Sequence, residues 1–219
     1  MKKIMILGDV HAKFKQLNAL IKQENPNIIL QCGDFGFWPE HVDLNTIHNG
    51  DTMIYWCDGN HENHDKIDEL MKLKGRRIPI ELLTNIFYCP RGSTLTLEDG
   101  RKILFMGGAH SMDKVLRTEG FNWFSQETIS KSDLELLPDV DIDIVISHTT
   151  PNYFVEGHSK WKIATSLDKS AKALNYVFDK YNPKLWYFGH WHIYKTGSYK
   201  NCNWTCLNRD GQQDWWKWL

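Results

Sequence analysis

Several things are missing from this chain, and each narrows what it can do. Its five cysteines (Cys32, Cys57, Cys89, Cys202 and Cys206) are odd in number, scattered and without a CxxC pair, a usage that suits reduced thiols in a cytoplasmic protein. No run approaches the ~20 apolar residues of a membrane span. The amino-terminal MKKIMILGD has an apolar run of only four residues before Gly8, too short for a signal-peptide core, so export is unsupported and a cytoplasmic location is expected. Nor is there an excess of either charge. With 26 basic and 27 acidic residues, nothing favours a general nucleic-acid or membrane-surface binder. Repeats, low-complexity tracts and linkers are absent too, so residues 1–219 are expected to form a single domain, long enough to bury its core without disulfides or structural metal.

What is present is aromatic and patterned. Four of the ten tryptophans fall in the last sixteen residues (Trp204, Trp215, Trp216 and Trp218), where large aromatics are expected to bury area. Residues 3–7, 27–31 and 52–56 read as strands, each ended by glycine beside an acidic or amide residue. Residues 13–24 read as a helix with Phe14, Leu17, Leu20 and Ile21 on one face, and 64–72 as another, with Ile67, Leu70 and Met71 inward. From 85 onward the texture changes: two alternating runs flank the turn Glu98-Asp99-Gly100, and a second, antiparallel sheet is expected to start there. A helix near 126–137, a strand at 143–147, a helix from an N-cap at Ser166 to Tyr181 and a strand at 185–189 follow, with Asn182-Pro183 as a stop. Strands near 193–199 and 203–208 close the pattern. The expected architecture is α/β, with two packed sheets and helices outside.

Five strand ends carry ligand-type residues: Gly8-Asp9-Val10-His11, Gly33-Asp34, Gly59-Asn60-His61-Glu62, Ser147-His148 and Gly189-His190-Trp191-His192. In open α/β sheets the ligand crevice lies at the carboxyl ends of the strands. A turn or a hydrogen-bonded core histidine explains any one of these motifs, but not five. Without a metal they would bring unpaired charge together at one sheet edge. Mixed carboxylate, amide and imidazole ligands suit manganese, iron, zinc or nickel better than calcium. Six or more ligands exceed one ion, whereas two ions about 3.5–4 Å apart with a bridging carboxylate use them all.

In this order, GDxH, GDxG, GNH(E/D), a strand-end His and GHxH resemble the calcineurin-like metallophosphoesterase superfamily. That resemblance implies a four-layer sandwich of two mixed β-sheets flanked by helices. It implies two divalent ions, manganese first, with iron, nickel or zinc as alternatives. Asp9, His11 and His192 would hold one ion and Asn60, His148 and His190 the other, with Asp34 bridging. A bridging hydroxide would attack phosphorus while His61 donates a proton to the leaving oxygen. Asp58, Glu62 and Asp65 are all candidates to orient His61, whereas Glu62, Asn63 and His64 read as helix start and solvent-facing loop.

The second motif, Gly33-Asp34-Phe35-Gly36-Phe37-Trp38-Pro39, lacks the second Asp and the Arg of the superfamily's protein Ser/Thr phosphatases, which argues against a phosphoprotein substrate. Residues 107–127, GGAHSMDKVLRTEGFNWFSQE, resemble a segment of small phage-encoded and bacterial metallophosphoesterases. There Arg117 and Lys114 are candidates to clamp phosphate and His110 to line the pocket; Trp38, Trp123, Trp161 and Trp191 are candidates to stack a base. The expected activity is hydrolysis of a small phosphodiester or phosphomonoester: a nucleotide, a cyclic nucleotide or an RNA end. A nuclease is the alternative enzyme and a non-catalytic scaffold the alternative class. Neither a membrane nor an obligate protein partner is expected.

Overall fold

The computed structural model describes residues 2–37, 43–155 and 165–219. In chain order the elements are β1 (Ile4–Leu7), α1 (Phe14–Glu24), β2 (Ile28–Gln31), β3 (Met53–Trp56), α2 (His64–Lys74), β4 (Ile80–Leu83), β5 (Ile86–Tyr88), β6 (Thr94–Thr96), β7 (Lys102–Met106), α3 (Lys131–Glu135), β8 (Ile144–Ser147), α4 (Lys169–Tyr181), β9 (Leu185–Phe188), β10 (Lys195–Tyr199), β11 (Cys202–Cys206) and β12 (Trp216–Trp218).

They build two six-stranded sheets, ordered β12-β1-β2-β3-β5-β4 and β10-β11-β9-β8-β7-β6. Within the first, β1, β2, β3 and β5 run parallel, with antiparallel β12 and β4 at the edges. The second repeats the plan, with β7, β8, β9 and β11 parallel and antiparallel β6 and β10 outside. Parallel strands covered on both faces need apolar side chains throughout, which is why they read as continuous hydrophobic runs.

Alternation along each strand sorts side chains into three cores. Met5 and Leu7 join Phe14, Leu17 and Ile67 under α1 and α2. Ile6 points the other way and meets Ile103, Phe105 and Ile146 between the sheets. Val145, Trp186 and Phe188 pack with Leu174, Val177 and Phe178 of α4 on the far side. The result is four layers, helix, sheet, sheet and helix, as expected.

Several local expectations change. The run at 86–88 does not open the second sheet; β5 pairs parallel with β3 in the first. The hairpin around Asp99-Gly100 does form, with Gly100 at φ 86° and Leu97 N–H donating to the Arg101 carbonyl at 2.9 Å. It makes only one edge, because the centre of that sheet is parallel. The helix expected at 126–137 contracts to α3, preceded by a 3-10 turn at Ser125–Glu127. The α4 cap is Asp168, whose carboxylate accepts from Ser170 N–H, rather than Ser166. β12 has no counterpart in the sequence pattern: two tryptophans flanking a lysine pair with β1. Trp204 and Trp215 are buried, as expected, while Trp218 is partly exposed.

Candidate metal centre

Because the central strands of each sheet are parallel, their carboxyl ends share an edge, and the two sheets bring those edges together. Asp9 follows β1, Asp34 follows β2, Asn60 and His61 follow β3, His148 follows β8, and His190 and His192 follow β9. The loops are zipped by main-chain bonds. The Asp34 carbonyl accepts from Val10 N–H and His11 N–H, at 3.0 and 2.8 Å, and the His148 carbonyl accepts from Gly189 N–H at 3.0 Å. Buried Gln31 ties the first two loops, donating to the carbonyls of Gly8 and Gly33 and accepting from Gly33 N–H.

Two motif glycines have a direct steric reason. A Cβ on Gly59 would collide with Asp34 Oδ1, and one on Gly189 with Asp9 Oδ1. His11, Asp34, His190 and His192 all hold positive φ, at 47°, 53°, 66° and 51°. This left-handed region costs a non-glycine residue about 1 kcal/mol or more, a strain that collects at functional sites.

Two Asp/His groups have ligand atoms within 4.8 Å of one another: Asp9 with His11 and His192, and Asp9 with Asp34 and His148. In the first, His11 Nε2 and His192 Nε2 lie 3.1 Å apart, and Asp9 Oδ2 lies 3.1 Å from His192 Nε2 and 3.7 Å from His11 Nε2. In the second, His148 Nε2 lies 3.3 Å from Asp34 Oδ2 and 3.1 Å from Asn60 Oδ1. Asp34 Oδ2 is also 3.9 Å from His11 Nδ1, between the two groups. His190 borders the second group through its ring, 5.0 Å from that of His148, and its backbone N–H donates to both Asp9 carboxylate oxygens at 3.1 Å.

These atoms suit a cation. His148 Nδ1 is 2.8 Å from the Cys32 carbonyl and must donate to it, so in the neutral ring Nε2 is a lone pair. That lone pair faces a carboxylate and an amide oxygen with no donor among the three. Bonds of about 2.1 Å at right angles space ligand atoms about 3.0 Å apart, close to the separations found. The electrostatics express the same demand for positive charge. Burial alone would lower the His148 pKa, but the Asp34 carboxylate pushes it up to about 10. Burial would raise Asp34, yet His148 and His61 hold it well below the usual carboxylate range. His190, buried and beside His148, is held well below the usual imidazole range. The Cys32 carbonyl thus sets both the tautomer and the orientation of the His148 ring.

His61 stands at the rim, its ring 5.4 Å from that of His11, and its backbone N–H donates to Asp34 Oδ1 at 2.9 Å. Burial lowers its pKa, with Asp34 opposing and Arg117 reinforcing the shift. Its Nε2 accepts from Arg117 Nη2 at 2.9 Å, and Arg117 is held by Asp113 at 2.8 Å. The three carboxylates considered as orienting partners are engaged elsewhere. Asp58 accepts from Tyr88 and Arg91, Glu62 from the N–H groups of Gly36 and Gly59, and Asp65 from Gln126. Glu62, Asn63 and His64 are not solvent-facing: all three are buried, Asn63 caps α2, and His64 Nε2 contacts the Gly59 carbonyl at 3.1 Å.

His110 Nδ1 lies 3.9 Å from Glu127 Oε1, while Lys114 extends its ammonium over the Trp123 ring at 4.0 Å. Trp191 packs edge-on against His190. Trp38 and Trp161 lie outside the described residues. Among residues that sequence reasoning passed over, Arg91, Ser111 and Glu127 matter most. All three are buried, and their one visible sign was that Ser111 and Glu127 belong to the 107–127 segment. The five cysteines are free and buried, and burial pushes each thiol up, away from reactivity.

No helix among the described residues is long and apolar enough to cross a membrane. Among solved structures, the TT1561 protein of Thermus thermophilus aligns with TM-score 0.60 and 10% identity over 95% of this chain and 89% of its own. Phosphopantetheinyl hydrolase from Mycobacterium tuberculosis aligns with TM-score 0.58 and 14% identity over 100% of this chain and 96% of its own. Identities that low show a shared fold. A CWF19-like protein 1 homolog of Drosophila melanogaster is 34% identical over 116 residues, 48% of this chain and only 20% of that protein. Residues 2–194, which contain all five strand-end motifs, match the profile of the calcineurin-like phosphoesterases, and the chain belongs to that family.

Proposed function

We propose that this chain is a two-metal hydrolase of small phosphate esters, acting on a nucleotide, a cyclic nucleotide or an RNA end. Asp9, His11 and His192 would hold one ion, Asn60, His148 and His190 the second, and Asp34 both. The observation that carries this reading is the spacing: lone-pair atoms 3.1 to 3.9 Å apart, gathered in two groups that share the buried Asp9, with Asp34 Oδ2 between them. When bound, divalent ions supply charge neutralisation at the phosphoryl oxygens and activation of water; manganese is the first ion to test.

The chain's own residues supply the rest. Cys32 fixes the His148 ring. Arg117, braced by Asp113, places a guanidinium beside His61, where a planar fork can meet phosphate oxygens. At rest His61 accepts a hydrogen bond from Arg117 and is neutral. An arriving phosphate draws that guanidinium and sets negative charge beside the imidazole, which favours its protonated form. His61 can then donate a proton to the departing oxygen. The balanced net charge fits a small substrate better than long duplex DNA, and the reduced, buried thiols fit a cytoplasmic, single-domain enzyme.

The test is hydrolysis of a chromogenic phosphodiester and phosphomonoester with added Mn²⁺, wild type beside Asp34→Ala and His61→Ala. Asp34→Ala should abolish both activities. His61→Ala should cost about 10²–10⁴-fold on esters with alkoxide leaving groups, and less on nitrophenyl esters, whose leaving group needs no proton. If neither ester is cleaved above the Asp34→Ala background with manganese, iron, nickel or zinc, the proposal fails.

A further inference from the structure

An amide side chain offers an oxygen at one end and an NH₂ at the other, and only the oxygen binds a cation. Asn60 is therefore useful to a metal in one of its two orientations. Its Nδ2 donates to Ser111 Oγ at 3.2 Å, and Ser111 Oγ donates in turn to Glu127 Oε2 at 2.6 Å. Glu127 Oε1 accepts from Ser111 N–H at 2.8 Å, so each carboxylate oxygen accepts from Ser111. Ser111 is fully buried and Glu127 is 1% exposed. Among the described residues this carboxylate is also faced by His110, with Nδ1 3.9 Å from Oε1, and by the Trp123 side chain.

We propose that Glu127 and Ser111 are positioning residues that set the direction of the Asn60 amide and thereby present Oδ1 to the second metal position. The inference rests on the reading of Asn60 as a ligand. Its logic is one of hydrogen-bond direction. An ionised carboxylate has no hydrogen to give, so the single Ser111 hydroxyl hydrogen must go to Glu127. The Ser111 oxygen is then left as an acceptor, which only the NH₂ end of Asn60 can satisfy. Oδ1 is turned to the opposite side, where it lies 3.1 Å from His148 Nε2. The segment carrying Glu127 is pinned to the Asn60 loop by Arg91, which donates to the Gln126, Glu127 and Thr128 carbonyls and to Asp58.

Glu127→Gln keeps the shape and reverses the direction. Its Oε1 still accepts from Ser111 N–H, but its NH₂ donates to Ser111 Oγ. The hydroxyl hydrogen is released toward Asn60, and the amide flips to show NH₂ to the metal. Asn60→Asp removes the need for a direction, because both of its oxygens can bind a cation. In the wild type that carboxylate would face the Ser111 lone pair; in Glu127→Gln it receives the freed hydrogen.

The experiment is calorimetric titration of Mn²⁺ into the metal-stripped full chain at pH 8, with circular dichroism melting to confirm folding. Wild type should bind two ions and Asn60→Ala one. Glu127→Gln should weaken one ion about 10–100-fold, as should Ser111→Ala, which leaves the buried charge in place. The gain on adding Asn60→Asp should be at least about tenfold larger in Glu127→Gln than in the wild type, an inversion that a purely structural role for Glu127 does not produce. Two tight ions in Glu127→Gln and Ser111→Ala, with one in Asn60→Ala, overturns the relay, and so does an equal gain from Asn60→Asp in both backgrounds. Two tight ions in Asn60→Ala overturns instead the assignment of Asn60 as a ligand.

Discussion

Removing the Arg91 guanidinium should unfold this protein more readily than any surface change. Arg91 is 8% exposed, and burial would lower its pKa, but Asp58 and Asp133 raise it further above its ordinary value. Its Nε and Nη2 donate to Asp58 Oδ2 at 3.0 and 2.6 Å, and Nη1 to Asp133 Oδ2 at 3.2 Å. Three carbonyls of residues 126–128 take further bonds at 2.9 to 3.1 Å. Without it, Asp58 keeps the Tyr88 hydroxyl at 3.0 Å, whereas Asp133 keeps Arg76 and Ser130. Breaking a buried ion pair by removing one partner costs about 3–5 kcal/mol, and orphaned buried carbonyls add to that without full additivity.

Arg91→Met, which preserves volume, should therefore lose about 4 kcal/mol or more. At this chain length that is roughly 8–16 °C in melting temperature. Urea unfolding of the metal-stripped protein measures it, and Asp58→Asn in the Arg91→Met background should cost less than in the wild type. Arg101→Ala, which removes an ion pair to the exposed Asp99, is the control and should leave the midpoint unmoved. A loss below about 1 kcal/mol for Arg91→Met would refute the reasoning.

His64 resists protonation to a lower pH than a surface histidine does. Burial lowers its pKa to about 4, so between pH ~6.5 and 4 the unfolded chain takes up a proton that the folded chain refuses. Stability then falls on acidification by up to about 3 kcal/mol. The stability gap between wild type and His64→Gln should narrow by that amount from pH 7 to 4, and a gap independent of pH would contradict it. Gly189→Ala forces a methyl against the Asp9 carboxylate. Calorimetry should show the ion proposed at Asp9, His11 and His192 weakened at least about tenfold in a chain that still folds. Arg117→Gln removes a positive neighbour that lowers the His61 pKa. An NMR titration of the metal-stripped protein should find His61 shifted upward, and no upward shift would argue against the 2.9 Å contact.

Much of the layout was legible because it is locally encoded. Strands β1, β2, β3, β8 and β9 are mostly apolar on both faces, each ends in serine or meets glycine within three residues, and the α1 face of Phe14, Leu17, Leu20 and Ile21 is buried as its spacing demands. The placing of Asp9, Asp34, Asn60, His148, His190 and His192 at strand ends followed from the same runs. Less legible were choices that depend on which element lies alongside. The run at 86–88 carries no mark telling it to join β3 instead of β6. Glu62, Asn63 and His64 look like a polar loop, yet packing buries them because Gly36, Gly59 and Lys66 bring N–H groups to Glu62 and Asn63, while His64 sits against a carbonyl.

By itself, then, the sequence determined the alternation of strands and helices, the glycines that give neighbouring carboxylates room, and the set of polar side chains at the strand ends. These depend on residues a few positions apart. Only the tertiary structure decided that Arg117 rather than a nearby carboxylate meets His61, that Arg91 clamps two loops, and that Ser111 and Glu127 govern the face Asn60 presents. Those pairings span 16 to 56 residues of chain. Hydrogen-bond direction passes through space and leaves no period in the sequence.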